Sequence, residues 1–177
     1  TSTWSSASTI VLQVSAATNS RGVRQTKTYE VYQPGKSLFI LATGVLNTNG
    51  GESGLVSKIG YFDDKNDKVS GPLNGNGIYF QLSGTQLSVV LRNTIASSST
   101  QVDTIVPQSQ WNVDNFSGTG GTGNPSNFSL DASKAQLFWF TIEWLGVGRV
   151  QAGFAMDGAY YPCHSFNEAN SLTSTYM

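Results

Sequence analysis

The residues best suited to chemistry are few: a single histidine, His164, a single cysteine, Cys163, the carboxylates Glu143 and Glu168, and the acidic stretch Asp63-Asp64-Lys65-Asn66-Asp67. Neighbouring side chains in a regular strand point to opposite faces, so Cys163 and His164 are not expected to work as nucleophile and base. One histidine and one cysteine are also too few for zinc or another soft metal. The acidic stretch offers carboxylate and amide oxygens to calcium. Lys68, however, stands where a helix-loop-helix calcium loop takes another oxygen ligand, and the expected glycine is absent; a solvated turn and a calcium site are the two readings. Glu143 lies on an aromatic strand with Arg149 or Arg92 as natural ion-pair partners, and no second carboxylate is paired with it for glycoside hydrolysis. Gly118 to Gly123 lacks the Gly-Lys-Ser/Thr continuation of a phosphate cradle. The expectation is a protein that is not an enzyme, with no catalytic residue, no metal and no cofactor.

The elements that must carry these residues are strands. Of 177 residues, 12% are charged and the formal net charge is -1. Ser, Thr, Asn, Gln and Gly fill the polar positions instead, which gives a hydrated surface with little electrostatic steering. No Lys or Arg run supplies a footprint for nucleic acid. No apolar run approaches the ~18 to 20 residues of a membrane span, and the polar Thr1 to Ser8 start does not have the order of a signal peptide. A lone cysteine excludes an internal disulfide, so burial and sheet hydrogen bonds must hold the fold.

Short strand-like segments recur at about Thr9 to Ala17, Lys27 to Gln33, Ser37 to Leu46, Leu55 to Asp63, Gly77 to Leu82, Thr85 to Asn93 and Gln101 to Pro107, separated by Gly, Asn, Ser and Pro. Helix is expected only as a turn or two near Ser109 to Asn115 and Asp131 to Gln136, with Ser129 or Asp131 as a cap. From Ala135 to Phe166 two apolar-rich runs joined by Gly146-Val147-Gly148, and a third after Asp157-Gly158, read as three antiparallel strands. In the Gly77 to Arg92 hairpin, with its bend placed at Ser83-Gly84, Ile78, Phe80 and Leu82 share a face with Leu87, Val89 and Leu91, while Tyr79, Gln81, Ser88 and Arg92 form the wet face.

Phe138, Phe140, Ile142 and Trp144 alternate with Trp139, Thr141, Glu143 and Leu145, so this strand is expected to be at least partly covered on both faces, by a loop, a neighbouring subunit or a ligand, with simple placement in a core the preferred reading. The fold class is therefore all-β: an antiparallel β-sandwich, jelly-roll-like or concanavalin/lectin-like in layout, with very little helix. Thr1 to Ser8 is expected to be an N-terminal arm and residues 9 to 177 one sandwich domain. Tyr61, Phe62, Trp111, Trp139, Trp144, Tyr160 and Tyr161 could include a sugar-stacking platform, although core packing is the plainer and preferred explanation. Asn115 and Asn127 open Asn-Phe-Ser sequons, which matter only in a secretory compartment.

Eight phrases in order carry a resemblance: Tyr32-Gln-Pro-Gly-Lys-Ser-Leu, Lys58-Ile-Gly-Tyr-Phe-Asp-Asp, Gly77-Ile-Tyr-Phe, Leu87-Ser-Val-Val-Leu-Arg, Val106-Pro-Gln-Ser-Gln-Trp-Asn, Leu130-Asp-Ala-Ser-Lys-Ala-Gln, Glu143-Trp-Leu-Gly-Val-Gly-Arg-Val and His164-Ser-Phe-Asn-Glu-Ala-Asn. Over Arg24 to Met177 the chain resembles a family of virion structural proteins of tailed bacteriophages and large DNA viruses. Lys68 to Asn76 is longer and richer in Gly and Asn than that family leads one to expect. The chain ends at Ser174-Thr-Tyr-Met, where members of the family continue, so a longer polypeptide is the expectation. The resemblance implies a minor capsid, fibre or tail component located in the virion, a homo-oligomer that also contacts other virion proteins. Trp4, Trp111, Tyr160 and Tyr161 are the expected contact residues. The alternative is a viral carbohydrate-binding module that grips a host glycan.

Overall fold

The computed structural model describes residues 2–4, 9–28, 33, 35–63, 75–95, 100–143 and 147–170. They fall into two compact units, Thr1–Gln33 and Pro34–Met177. In the first unit the backbone of β1 (Ser2–Trp4) pairs antiparallel with β2 (Ile10–Leu12), Trp4 opposite Ile10. The expected strand from Thr9 is thus only three residues long. Beyond it, a turn is closed by the Ser15 amide donating to Ser20 Oγ at 2.8 Å. The expected strand at Lys27 to Gln33 falls largely outside the described residues.

The second unit is a sandwich of two four-stranded antiparallel sheets. One is a meander in chain order, β4 (Glu52–Phe62), β5 (Gly77–Gly84), β6 (Gln86–Ile95) and β7 (Thr100–Pro107). The other runs β10-β9-β8-β3, made of β3 (Leu38–Gly44), β8 (Gln136–Ile142), β9 (Arg149–Met156) and β10 (Ala159–Asn167). Two connections pass between the sheets, β3 to β4 and the long β7 to β8 segment. The helix expected near Ser109 is one 3-10 turn, Gln108–Gln110. At Asp131 the carboxylate captures the Ser133 amide at 2.9 Å, and the chain turns there instead of winding into a helix.

Alternation decides which residues enter the core. Ile78 lies opposite Leu91, Phe80 opposite Val89 and Leu82 opposite Leu87, so all six share the inner face, as the sequence pattern requires. The turn itself sits one residue further on than Ser83-Gly84. Ser83 pairs with Gln86, leaving Gly84 and Thr85 in the loop, because the first loop position has φ +57° and a glycine meets that without strain. Sliding a two-residue turn by one changes each partner by two, so the apolar set keeps its face. Gly84→Ala is expected to cost about 1–2 kcal/mol through the left-handed conformation alone, since a Cβ there meets nothing within 4 Å; a urea unfolding midpoint measures it.

Across the sandwich, Phe80 is the centre of an aromatic cluster. Its ring lies 5.2 Å from Phe138, 5.4 Å from Phe140 and 4.8 Å from Phe154, all from the opposite sheet. Trp111, arriving from the β7 to β8 segment, closes the cluster at 5.9 Å from Phe80 and 6.1 Å from Phe154. Each fully buried ring of this kind contributes roughly 1.5–3 kcal/mol.

The outer face of the β5-β6 pair departs from expectation. Tyr79, Ser88, Val90 and Arg92 are buried there. Arg92 is neutralised across the strand by Asp103, with Nε 2.8 Å from Oδ1 and Nη2 2.8 Å from Oδ2. Phe62 covers Tyr79 at 4.5 Å, and Lys58 Nζ lies over the same ring at 5.1 Å. An arginine read as wet is therefore the centre of a covered polar network.

Candidate functional site

The outer face of the β10-β9-β8-β3 sheet holds the described residues best suited to contact a partner. β3 is apolar on both parities: Leu38, Ile40 and Ala42 pack against the core, which leaves Phe39 and Leu41 facing outward at 52% and 53% exposure. The register sets Leu41 opposite Trp139 and Thr43 opposite Leu137 on β8, then Trp139 opposite Gly153 and Leu137 opposite Ala155 on β9. Tyr160 on β10 pairs with Ala155 and completes the row.

Trp139 anchors this face. Its indole lies over Gly153, where a Cβ would come within 2.6 Å of the ring and also collide with the Tyr161 carbonyl oxygen, so only glycine admits the approach. Nε1 donates to the Phe154 carbonyl at 3.2 Å. Phe39 stacks at 6.2 Å with planes 25° apart, and Tyr160 meets the indole edge-on at 6.2 Å. Trp139 is consequently buried by its own sheet, while Phe39, Leu41, Leu137 and Tyr160 remain about half exposed around it. The outward positions of β3 and β8 here are Phe39, Leu41, Thr43, Leu137, Trp139 and Thr141, none of them charged. Apolar side chains are exposed elsewhere too, Val56 and Ile105 among them, but here they adjoin one another around an aromatic anchor, and a contiguous apolar patch is what marks a contact site.

Of the expected contact residues, Trp111, Tyr160 and Tyr161 do not converge. Tyr160 lies in the patch. Trp111 is in the core, its Nε1 donating to the Val106 carbonyl at 3.1 Å. Tyr161, the next residue on β10, faces the other way and packs edge-on against Phe128 at 5.0 Å. Trp4 lies in β1, and its side chain is outside the described residues. The aromatics considered for sugar stacking are similarly dispersed: Phe62 lies on the other sheet, and Trp144 is outside the described residues. Phe39, Leu41 and Leu137 were missed, though a seven-residue strand apolar at both odd and even positions was a readable sign of them.

The residues considered for chemistry are tied into structure. Glu143 Oε1 accepts from Arg149 Nη2 at 3.2 Å on the surface, and the Arg149 amide donates to Oε2 at 3.1 Å. A β-bulge between Pro162 and His164 breaks the alternation, so that Cys163 and His164 are both buried. Burial pushes the Cys163 thiol well above its usual pKa and the His164 imidazole below its own. Asp64 to Asp67 lie outside the described residues. Among the described residues no three His, Cys, Asp or Glu side chains gather in a metal-binding group, and no helix is long and apolar enough to cross a membrane.

The β7 to β8 segment is organised by Asp114. Its carboxylate accepts from the Phe116 amide at 2.9 Å, Asn124 Nδ2 at 2.6 Å and the Ser126 amide at 2.9 Å. Burial opposes its ionisation, but these donors outweigh burial and hold the pKa below the usual carboxylate value. A shallow cleft of about 310 Å³ lies between Asp114, Ser126 and Tyr161. The carboxylate is already engaged within the segment.

Fold and face together define an all-β sandwich with one exposed aromatic sheet face. Compared with protein-family models, with curated proteins and with solved structures, the chain matches none.

Proposed function

We propose that this chain is a non-enzymatic structural protein of a virion, a minor capsid, fibre or tail component that acts by assembling with copies of itself and with other virion proteins. The observation carrying this reading is the uncharged patch of Phe39, Leu41, Leu137 and Tyr160 around Trp139. Half-exposed apolar side chains on a rigid sheet lose little conformational entropy on docking, and a central aromatic anchor ringed by smaller contacts is how protein interfaces concentrate their energy. The ordered phrases resembling virion proteins supply the biological setting.

Geometry favours protein contact over sugar stacking. A pyranose needs an open ring face, whereas Phe39 and Tyr160 stand at 90° to each other and Trp139 is covered. Leu41→Ser with Tyr160→Ser is expected to weaken assembly roughly a thousandfold, each truncation of a central contact costing about 2 kcal/mol. Sedimentation of the purified chain and incorporation into particles measure this. Unchanged assembly and incorporation would sink the proposal, and loss of binding on a glycan array with assembly intact would establish the carbohydrate-binding alternative in its place.

A further inference from the structure

The free edge of β10 is occupied by a clasp from the β7 to β8 segment. Asn112 treats Ser165 as a neighbouring strand would: its Oδ1 accepts the Ser165 amide at 2.9 Å and its Nδ2 donates to the Ser165 carbonyl at 2.9 Å. The Val113 and Asp114 amides both donate to the Cys163 carbonyl at 3.1 Å. The remaining bond runs the other way in chemical type, because the Asn112 amide donates to His164 Nδ1 at 3.3 Å and so requires that nitrogen unprotonated.

We propose that His164 makes this clasp acid-sensitive: a proton on Nδ1 turns the acceptor of the Asn112 amide into a donor, and the Asn112–Asp114 clasp leaves the β10 edge. The surroundings give the imidazolium little to pair with. β9 presents Ala152 opposite His164, β10 presents Phe166 edge-on at 4.5 Å, and the clasp presents backbone donors. The titratable groups nearby are the buried Cys163 thiol, which is uncharged, and the Asp114 carboxylate, which is committed to Phe116, Asn124 and Ser126. His164 makes no ion pair with any described residue. Burial depresses the imidazole pKa in the clasped state, whereas the released imidazole titrates near 6.5. The clasp is therefore intact above about pH 6.5 and is lost as pH falls from there towards the depressed value.

Amide hydrogen exchange by NMR on the intact chain, expressed as protection factors at pH 7.5 and pH 5.0, tests this. Protection at Val113, Asp114 and Ser165 is expected to fall at least tenfold at the lower pH while the β5 and β6 amides keep theirs. In His164→Gln, whose side-chain oxygen still accepts the Asn112 amide but does not titrate, the fall is expected to vanish. Asn112→Ala is expected to leave Ser165 unprotected at both pH values. Unchanged protection at the three amides, a fall that persists in His164→Gln, or simultaneous loss across β5 and β6 would each overturn the proposal.

Discussion

Asp114→Ala is expected to lower unfolding free energy by about 3–5 kcal/mol, among the largest effects of any single polar substitution in this chain. Three donors converge on one buried carboxylate, and two of the residues supplying them, Phe116 and Asn124, are themselves buried. With the carboxylate gone, the Phe116 amide and the Asn124 side chain lose their acceptor inside the segment. The β7 to β8 segment then loses the geometry that presses Trp111 and Phe116 against Phe154. Asp114→Asn is expected to cost less but still about 2 kcal/mol, because an amide offers one acceptor oxygen and turns its own donors towards the others. Urea denaturation decides it: a lower midpoint at unchanged slope is the expected result, and a loss under about 1 kcal/mol in the alanine variant contradicts the role given to Asp114. Since the native pKa of Asp114 is depressed, its contribution is present above the ordinary carboxylate value and disappears as pH falls through the native one.

Arg92→Met is expected to cost a comparable 3–5 kcal/mol, for a different reason. The guanidinium neutralises Asp103 and donates to the Tyr79 hydroxyl at 2.9 Å, and that hydroxyl donates to Asp103 Oδ2 at 3.0 Å. Burial opposes ionisation of Asp103, and the hydrogen bond and charge of Arg92 are the main effects that outweigh it. Removing the cation strands a partly buried carboxylate. Removing the whole network is expected to be much milder: Arg92→Met with Asp103→Leu and Tyr79→Phe should lie within about 2 kcal/mol of the parent, because the charged groups leave together and the partners lost are the part-buried Asp63 carbonyl and Gln101 amide. A cycle of single, double and triple variants separates these cases. If the single and triple variants are equally destabilised, packing rather than charge compensation is what Arg92 supplies.

Much of the sandwich was legible because its information is local. Period-two alternation placed Ile78, Phe80 and Leu82 with Leu87, Val89 and Leu91 before any pairing was known, and parity protected that reading from a turn displaced by one residue. What escaped was set by residues distant in the chain. Arg92 read as a wet-face residue because its partner Asp103 lies on the next strand and the Phe62 cover on β4, and strand periodicity carries no record of either. Trp111 looked like a contact residue because it lies in a polar segment; only the folded course of that segment delivers it to the core. Asp114 had no local pattern to announce it, since its donors are spread from Phe116 to Ser126. The bulge between Pro162 and His164 likewise has no local signature, and with it both Cys163 and His164 are buried. The exposed apolar face was half legible: Tyr160, which lies in it, was named, whereas Phe39 and Leu41 required attention to a strand apolar on both parities.

The pairing of β3 with β8 has a consequence for the order in which the chain acquires structure. Strands β4 to β7 are consecutive, and each finds its partner as soon as it is made. β3 must wait, because Leu38 pairs with Ile142, about a hundred residues later. Throughout that interval during synthesis, a strand carrying Leu38, Phe39, Ile40 and Leu41 has neither its ladder nor its core. The nascent chain therefore displays this apolar segment early and pairs it only when β8 arrives, and crowding of many growing copies makes misassembly through β3 the characteristic failure to be avoided.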